Sequence, residues 1–189
     1  MPYLYMLLLG CRPKERNTEQ HDVLFAIGDS NKDIVPVINN FWPEAKNKIH
    51  VDAWRKVTCV NGFSITILPK KDTIAKSNNH RLFFINLGGY KPNEFDEFHY
   101  KMLVVAENKA RAIQQAKTSA FFKHVTFKDA PSHIDDSYGI DVDDCYEIQD
   151  ILPQYLKEAY QIHIENAPLN CKEDEMYLGY FKLDRFLLL

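Results

Sequence analysis

One pattern occurs twice along this chain, and that repetition limits the possible folds more than any single residue does. Leu7-Leu8-Leu9-Gly10-Cys11 aligns with Ile85-Asn86-Leu87-Gly88-Gly89 at an offset of 78 residues. The same offset carries Glu19-Gln20-His21 onto Glu97-Phe98-His99. It also carries Leu24-Phe25-Ala26-Ile27 onto Met102-Leu103-Val104-Val105. Phe41-Trp42 matches Phe121-Phe122 at 80, and His50-Val51-Asp52 matches His133-Ile134-Asp135 at 83. Phe63–Ile67 then matches Tyr160–Ile164 after a longer insertion. Offsets that only grow are what insertions into an ancestral duplication leave behind. The organisation that follows is a first unit over residues 1–69, a polar linker over 70–80, and a second unit with a C-terminal extension over 81–189. Units this small bury a modest fraction of their surface, so the two repeats are expected to pack on each other.

Each unit reads as α+β in the order ββαββ. An apolar strand, a polar loop of about ten residues and a second apolar strand come first. A helix follows, capped by Asn108 in the second unit; in the first, Ser30 and Asp33 are both possible caps, and Asp33 is preferred because it would place Pro36 in the first turn. Two more strands close the unit, with Asn61-Gly62 as a hairpin turn. A sheet wrapped against one helix in this way is β-grasp-like.

The residues Leu9-Gly10 with Glu19-x-His21-Asp22, and Asn86-Leu87-Gly88-Gly89-Tyr90 with Glu97-x-His99, resemble the bacterial family catalogued as domain of unknown function 1543. The resemblance covers roughly residues 3–69 and 81–166 and implies a two-copy member. It implies no activity, substrate or catalytic residue. Cys11 departs from the Gly-Gly pattern by standing where the second glycine would be.

Hydrophobic residues are 46% and charged residues 26% of the 189, ordinary usage for a soluble globular protein. The net charge of −3 carries no nucleic-acid footprint. It is a sum of opposites, since residues 1–78 hold 11 basic and 8 acidic side chains against 12 and 18 in the remainder. No apolar run approaches the roughly 18 residues of a membrane span. Leu8-Leu9-Gly10-Cys11 looks like a lipid-attachment box, but it lacks a basic leader and recurs in mid-chain. Cys11, Cys59, Cys145 and Cys171 show no metal-ligand spacing, so free thiols in a cytoplasmic protein are expected.

Chemistry concentrates in Glu-x-His and His-x-Asp, each present once per repeat. Residues i and i+2 of a strand face one side, so Glu19 with His21, and His50 with Asp52, could converge on one ligand. Glu97, His99, His133 and Asp135 are the corresponding group of the second unit. Two imidazoles and two carboxylates would suit a divalent transition metal, or a general base oriented by a carboxylate. The alternative is that each histidine and its acidic neighbour satisfy nearby backbone groups. Convergence of His21 and His50 on one point would favour the ligand reading.

Other motifs lead nowhere. Gly88-Gly89 lacks the spacing and the following helix of a phosphate loop. The acidic run 135–147 has no EF-hand register. No Gly-x-Ser-x-Gly occurs, and a Cys11–His21 dyad would be absent from the second unit, where Gly89 replaces the cysteine. Phe83, Phe84, Phe121 and Phe122 fit core positions, and Arg185–Leu189 fits a final edge segment. The expected protein is a non-enzymatic binding or interaction module, with no cofactor and an unspecified protein or small-molecule partner. The alternative is a metal-dependent hydrolase-type enzyme using the repeated carboxylate and histidine groups.

Overall fold

The computed structural model describes residues 1–45, 48–72, 79–90, 93–124 and 141–189. The chain divides into two compact units, Met1–Lys76 with Leu152–Leu189, and Ser77–Ile151. Both mix helices with antiparallel sheets, so the α+β class holds; three sheets are present among the described residues.

In the first unit, β1 (Tyr3–Cys11) pairs antiparallel with β2 (Gln20–Gly28) along its whole length. Alternation along β1 sends Tyr5, Leu7, Leu9 and Cys11 to one face, all four fully buried. The helix α1 (Asn31–Phe41) lays Ile34, Val37 and Ile38 on that face, with Leu24, Ala26, Val51 and Trp54 completing the core. A fully buried leucine or isoleucine there contributes about 1.5–3 kcal/mol. Ser30, one of the two possible caps in the sequence, is the N-cap, which corrects the preference for Asp33. The Asp33 carboxylate instead accepts hydrogen bonds from the backbone N–H of Ser30 at 2.9 Å and of Asp29 at 3.0 Å. Asp33 thereby serves as the third residue of a capping box, and Pro36 stands inside the helix rather than in its first turn.

Strand β3 (His50–Val57) pairs antiparallel with the other edge of β1. Its register slips by one residue between Leu8 and Leu9: Ala53 faces Leu8, Val51 faces Leu9, and Asp52 is the extra residue of a β-bulge. Next, β4 (Cys59–Val60) and β5 (Phe63–Pro69) form the hairpin expected at Asn61-Gly62, where φ is 50° and 79°.

In the second unit, β6 (Arg81–Tyr90) lies between β7 (Glu97–Ala106) and β8 (Asp141–Glu147), all antiparallel. The helix α2 (Lys109–His124) starts after Asn108, whose Oδ1 accepts the Arg111 N–H at 3.0 Å, as the sequence indicates. Ala112 and Ala116 pack on Phe83, Ile85, Leu87, Val104 and Cys145. Here too the register slips, between Asn86 and Leu87, leaving Asp143 as the bulge residue. The unit ends with α3 (Ile148–Ile151).

The chain then returns to the first unit through α4 (Gln154–Ala159) and β9 (Tyr160–Asn166). The two strands read as equivalent closing strands pair with each other, with Ile65 facing Ile164. Sheet β4-β5-β9 is therefore separate from the sheet carrying β1, and the closing strands do not complete a β-grasp arrangement around one helix. Strand β10 (Tyr177–Lys182) adds an edge beside β3, and α5 (Leu183–Phe186) inserts fully buried Phe186 into the first core. Residues 81–189 are thus not one second unit: apolar Phe181, Leu183 and Phe186 complete the first core instead. Residues 73–78 of the expected linker, and the side chains of Phe121 and Phe122, lie outside what is described.

Cys59 and Cys171 form a disulfide, which corrects the expectation of four free thiols; Cys11 and Cys145 are free and buried. Beside it the Asp174 carboxylate accepts hydrogen bonds from the Thr58 N–H at 2.8 Å, the Cys59 N–H at 3.0 Å and the Thr58 hydroxyl. Among the described residues no helix is long and apolar enough to cross a membrane.

Candidate ligand seat

His21, Gly10 and His50 form one row across three strands, since Gly10 faces His21 on β2 and His50 on β3. Directly opposed residues share a face, so both imidazoles rise from the side of the sheet away from α1. Glu19 precedes β2 and sits two residues from His21, while the bulge turns Asp52 toward the same face.

The four side chains converge. His21 Nε2 lies 3.9 Å from Glu19 Oε2 and 3.3 Å from Asp52 Oδ2. His50 Nε2 lies 3.1 Å from Glu19 Oε1 and 3.2 Å from Asp52 Oδ1. Each imidazole thus touches both carboxylates, and each carboxylate bridges both imidazoles through different oxygens. His50 is only 3% exposed, yet its Nε2 and Nδ1 make no hydrogen bond, and neither does Asp52 Oδ2. The short contacts at Nε2 are ion-pair distances whose angles do not make hydrogen bonds. A buried polar atom in that condition costs about 1–3 kcal/mol.

Gly10 makes the convergence possible. A Cβ there would collide with Asp52 Oδ2 and His50 Nε2. Tyr180 of β10 closes one side, its ring centroid 4.2 Å from that of His50 and tilted by 33°. Cys11 is next in sequence but points to the opposite, core face, where burial raises its thiol pKa and its Sγ donates toward the Ala45 carbonyl. A Cys11–His21 dyad is excluded by that alternation.

The second unit repeats part of this geometry. His99 Nε2 lies 3.9 Å from Glu97 Oε2 and 3.3 Å from Asp143 Oδ2, and one ligand atom from each of the three residues lies within 4.8 Å of the others. Gly88 faces His99, and a Cβ on it would collide with the Asp143 carboxylate. His133 and Asp135 lie outside the described residues. The register pairs Gly88 with Asp141, so Asp141-Val142-Asp143 occupies the place of His50-Val51-Asp52. The sequence match of His133 and Asp135 to that segment is therefore replaced by one at an offset of 91. Where the first unit has a second imidazole, this one has an aspartate position.

Asp143, Tyr180 and the two glycines were missed as site residues. The signal for Asp143 was the shared Val-Asp, at an offset still larger than those before it. Nothing in the sequence around Tyr180 announces its role, because edge pairing with β3 brings it there.

Residues 16–67 match the family model described as Domain of Unknown Function (DUF1543). That span runs from the loop before β2 into β5 and includes Glu19, His21, His50 and Asp52. No curated protein matches the chain. The crystal structure of a protein Il1583 from Idiomarina loihiensis is similar in fold, with a TM-score of 0.60 at 20% identity. The similarity covers 97% of this chain and 98% of that one.

Proposed function

We propose that this chain is a non-enzymatic binding module whose seat is the Glu19–His21–His50–Asp52 cluster, and that the seat takes a small cation. The observation that carries this reading is the meeting of two carboxylates with a nearly fully buried imidazole whose nitrogens have no hydrogen-bond partner. Two carboxylates that each approach the same imidazole nitrogen repel one another, and a cation between them removes that cost. Loop backbone groups would have satisfied His50 had its role been purely structural.

The module derives from two copies of one ββαβ unit. The matching bulges at Asp52 and Asp143, and the glycines facing His21 and His99 at an offset of 78, support that descent. Binding rather than catalysis is favoured because the four side chains fill the seat with contacts to one another, whereas catalytic zinc sites keep an open position.

Thermal unfolding of the purified full chain with Zn²⁺, Mn²⁺, Mg²⁺, Ca²⁺, ammonium or guanidinium tests the reading. A ligand at a hundred times its Kd stabilises the folded state by about 2.7 kcal/mol. At least one of these cations should raise the midpoint of the wild type and leave that of His21→Ala unchanged. Equal midpoints for the wild type under all six would refute it.

A further inference from the structure

We infer that the seat is a four-coordinate site for a divalent transition metal, with His21 Nε2 and His50 Nε2 as nitrogen ligands and one oxygen each from Glu19 and Asp52. The inference rests on the reading of this cluster as the binding seat and specifies what occupies it.

Spacing is the first argument. Bonds of about 2.1 Å at the tetrahedral angle hold neighbouring donors about 3.4 Å apart. The four nitrogen–oxygen contacts are 3.1, 3.2, 3.3 and 3.9 Å, near that value, with each carboxylate turning one oxygen to each imidazole; a bound ion would draw one oxygen of each between the two nitrogens. Two independent ion pairs would have produced two short distances, not four.

Donor chemistry is the second. Magnesium and calcium prefer all-oxygen sets, which a seat with two imidazoles does not supply. A set of two imidazoles and two carboxylates suits zinc and its first-row neighbours.

The third argument is the state of His50. Its Nε2 is buried between two carboxylates without a hydrogen bond, and a metal ion would supply the missing partner to it and to Asp52 Oδ2. Metal-bound histidines usually donate their other N–H to an acceptor, which His50 Nδ1 lacks. The Tyr180 ring, packed 4.2 Å from the imidazole, holds its orientation instead.

The second unit supplies an internal contrast. Glu97, His99 and Asp143 keep one imidazole, and all three are more exposed than His50. They do meet as a compact three-donor group, with one ligand atom from each within 4.8 Å of the others, so the inference assigns the tighter site to the first unit on its second imidazole and the burial of His50.

Calorimetric titration of the full, metal-stripped chain with Zn²⁺, Mg²⁺ and guanidinium, paired with Co²⁺ absorption, tests this. One Zn²⁺ should bind per chain, Mg²⁺ should not compete, and bound Co²⁺ should show the intense visible bands of a tetrahedral site. His50→Ala and His21→Ala should each weaken Zn²⁺ by ~100-fold or more, while His99→Ala leaves it unchanged. His21 is half-exposed, so its variant is expected to fold, and near-ultraviolet circular dichroism checks that. Mg²⁺ or guanidinium binding without Zn²⁺ would overturn the metal and spare the seat. No binding of any probe would overturn both. Zn²⁺ lost in His99→Ala and kept in His21→Ala would place the metal elsewhere and also overturn the inference.

Discussion

Gly10 and His50 face each other across the β1–β3 ladder, and the missing side chain of one is the space into which the other's Nε2 projects. The colliding atoms are side-chain ends, so Gly10→Ala should push His50 and Asp52 aside without unfolding the sheet. Zn²⁺ affinity, read by competition with a chromophoric chelator, should fall by ~100-fold or more. An unchanged affinity would mean that the seat tolerates a methyl group where the geometry says it does not.

The Cys59–Cys171 disulfide closes a sequence separation of 112 residues and ties the C-terminal segment to β4. Unfolding without reductant should leave two thiols open to iodoacetamide, Cys11 and Cys145, and reduction should raise the count to four. Cys171→Ser should lower the stability of the oxidised protein by about 2–4 kcal/mol in urea unfolding. Four reactive thiols in the unreduced protein would contradict the pairing.

At the start of α1, Asp33 does the work of a cap from the third helical position. Asp33→Ala removes acceptors for the Asp29 and Ser30 N–H groups and should cost about 1–2 kcal/mol by chemical denaturation. Asp33→Asn, which keeps one acceptor oxygen, should recover part of that loss.

Burial pushes the Tyr5 phenol up to about 12, and the nearby Asp33 carboxylate adds to the shift. In the unfolded chain a tyrosine ionises near 10, so the stability held by the neutral buried phenol is complete below about pH 10. It is lost as pH rises toward about 12, because the unfolded chain releases its proton first. Urea midpoints measured from pH 9 upward should fall across that window, and Tyr5→Phe should fall less steeply. Identical slopes would contradict the assignment.

How much of this was legible in the sequence depended on how local each relation was. The i, i+2 spacing was enough to unite Glu19 with His21 and His50 with Asp52, and the constant offset of 78 linked His21 to His99. What joins the two pairs is the Gly10 row, a relation between strands about 40 residues apart that only a register can supply. The Asp143 equivalence was hidden because insertion shifts its offset, and His133-Ile134-Asp135 offered a nearer look-alike. Strand pairing likewise decided β9 and β10, whose residues have the composition of a second-unit ending but lie against β5 and β3. Disulfide connectivity cannot be read from spacing at all. The choice between Ser30 and Asp33 turned on direction: the carboxylate reaches back to the N–H groups before it.

The central claim is the occupancy of the first unit's seat, and anomalous scattering at the zinc edge from a Zn²⁺-soaked crystal tests it most directly. The account predicts one strong peak about 2.0–2.2 Å from His21 Nε2, His50 Nε2 and an oxygen of each of Glu19 and Asp52. A fully soaked crystal with no peak there, or with its only peak at Glu97, His99 and Asp143, would contradict it.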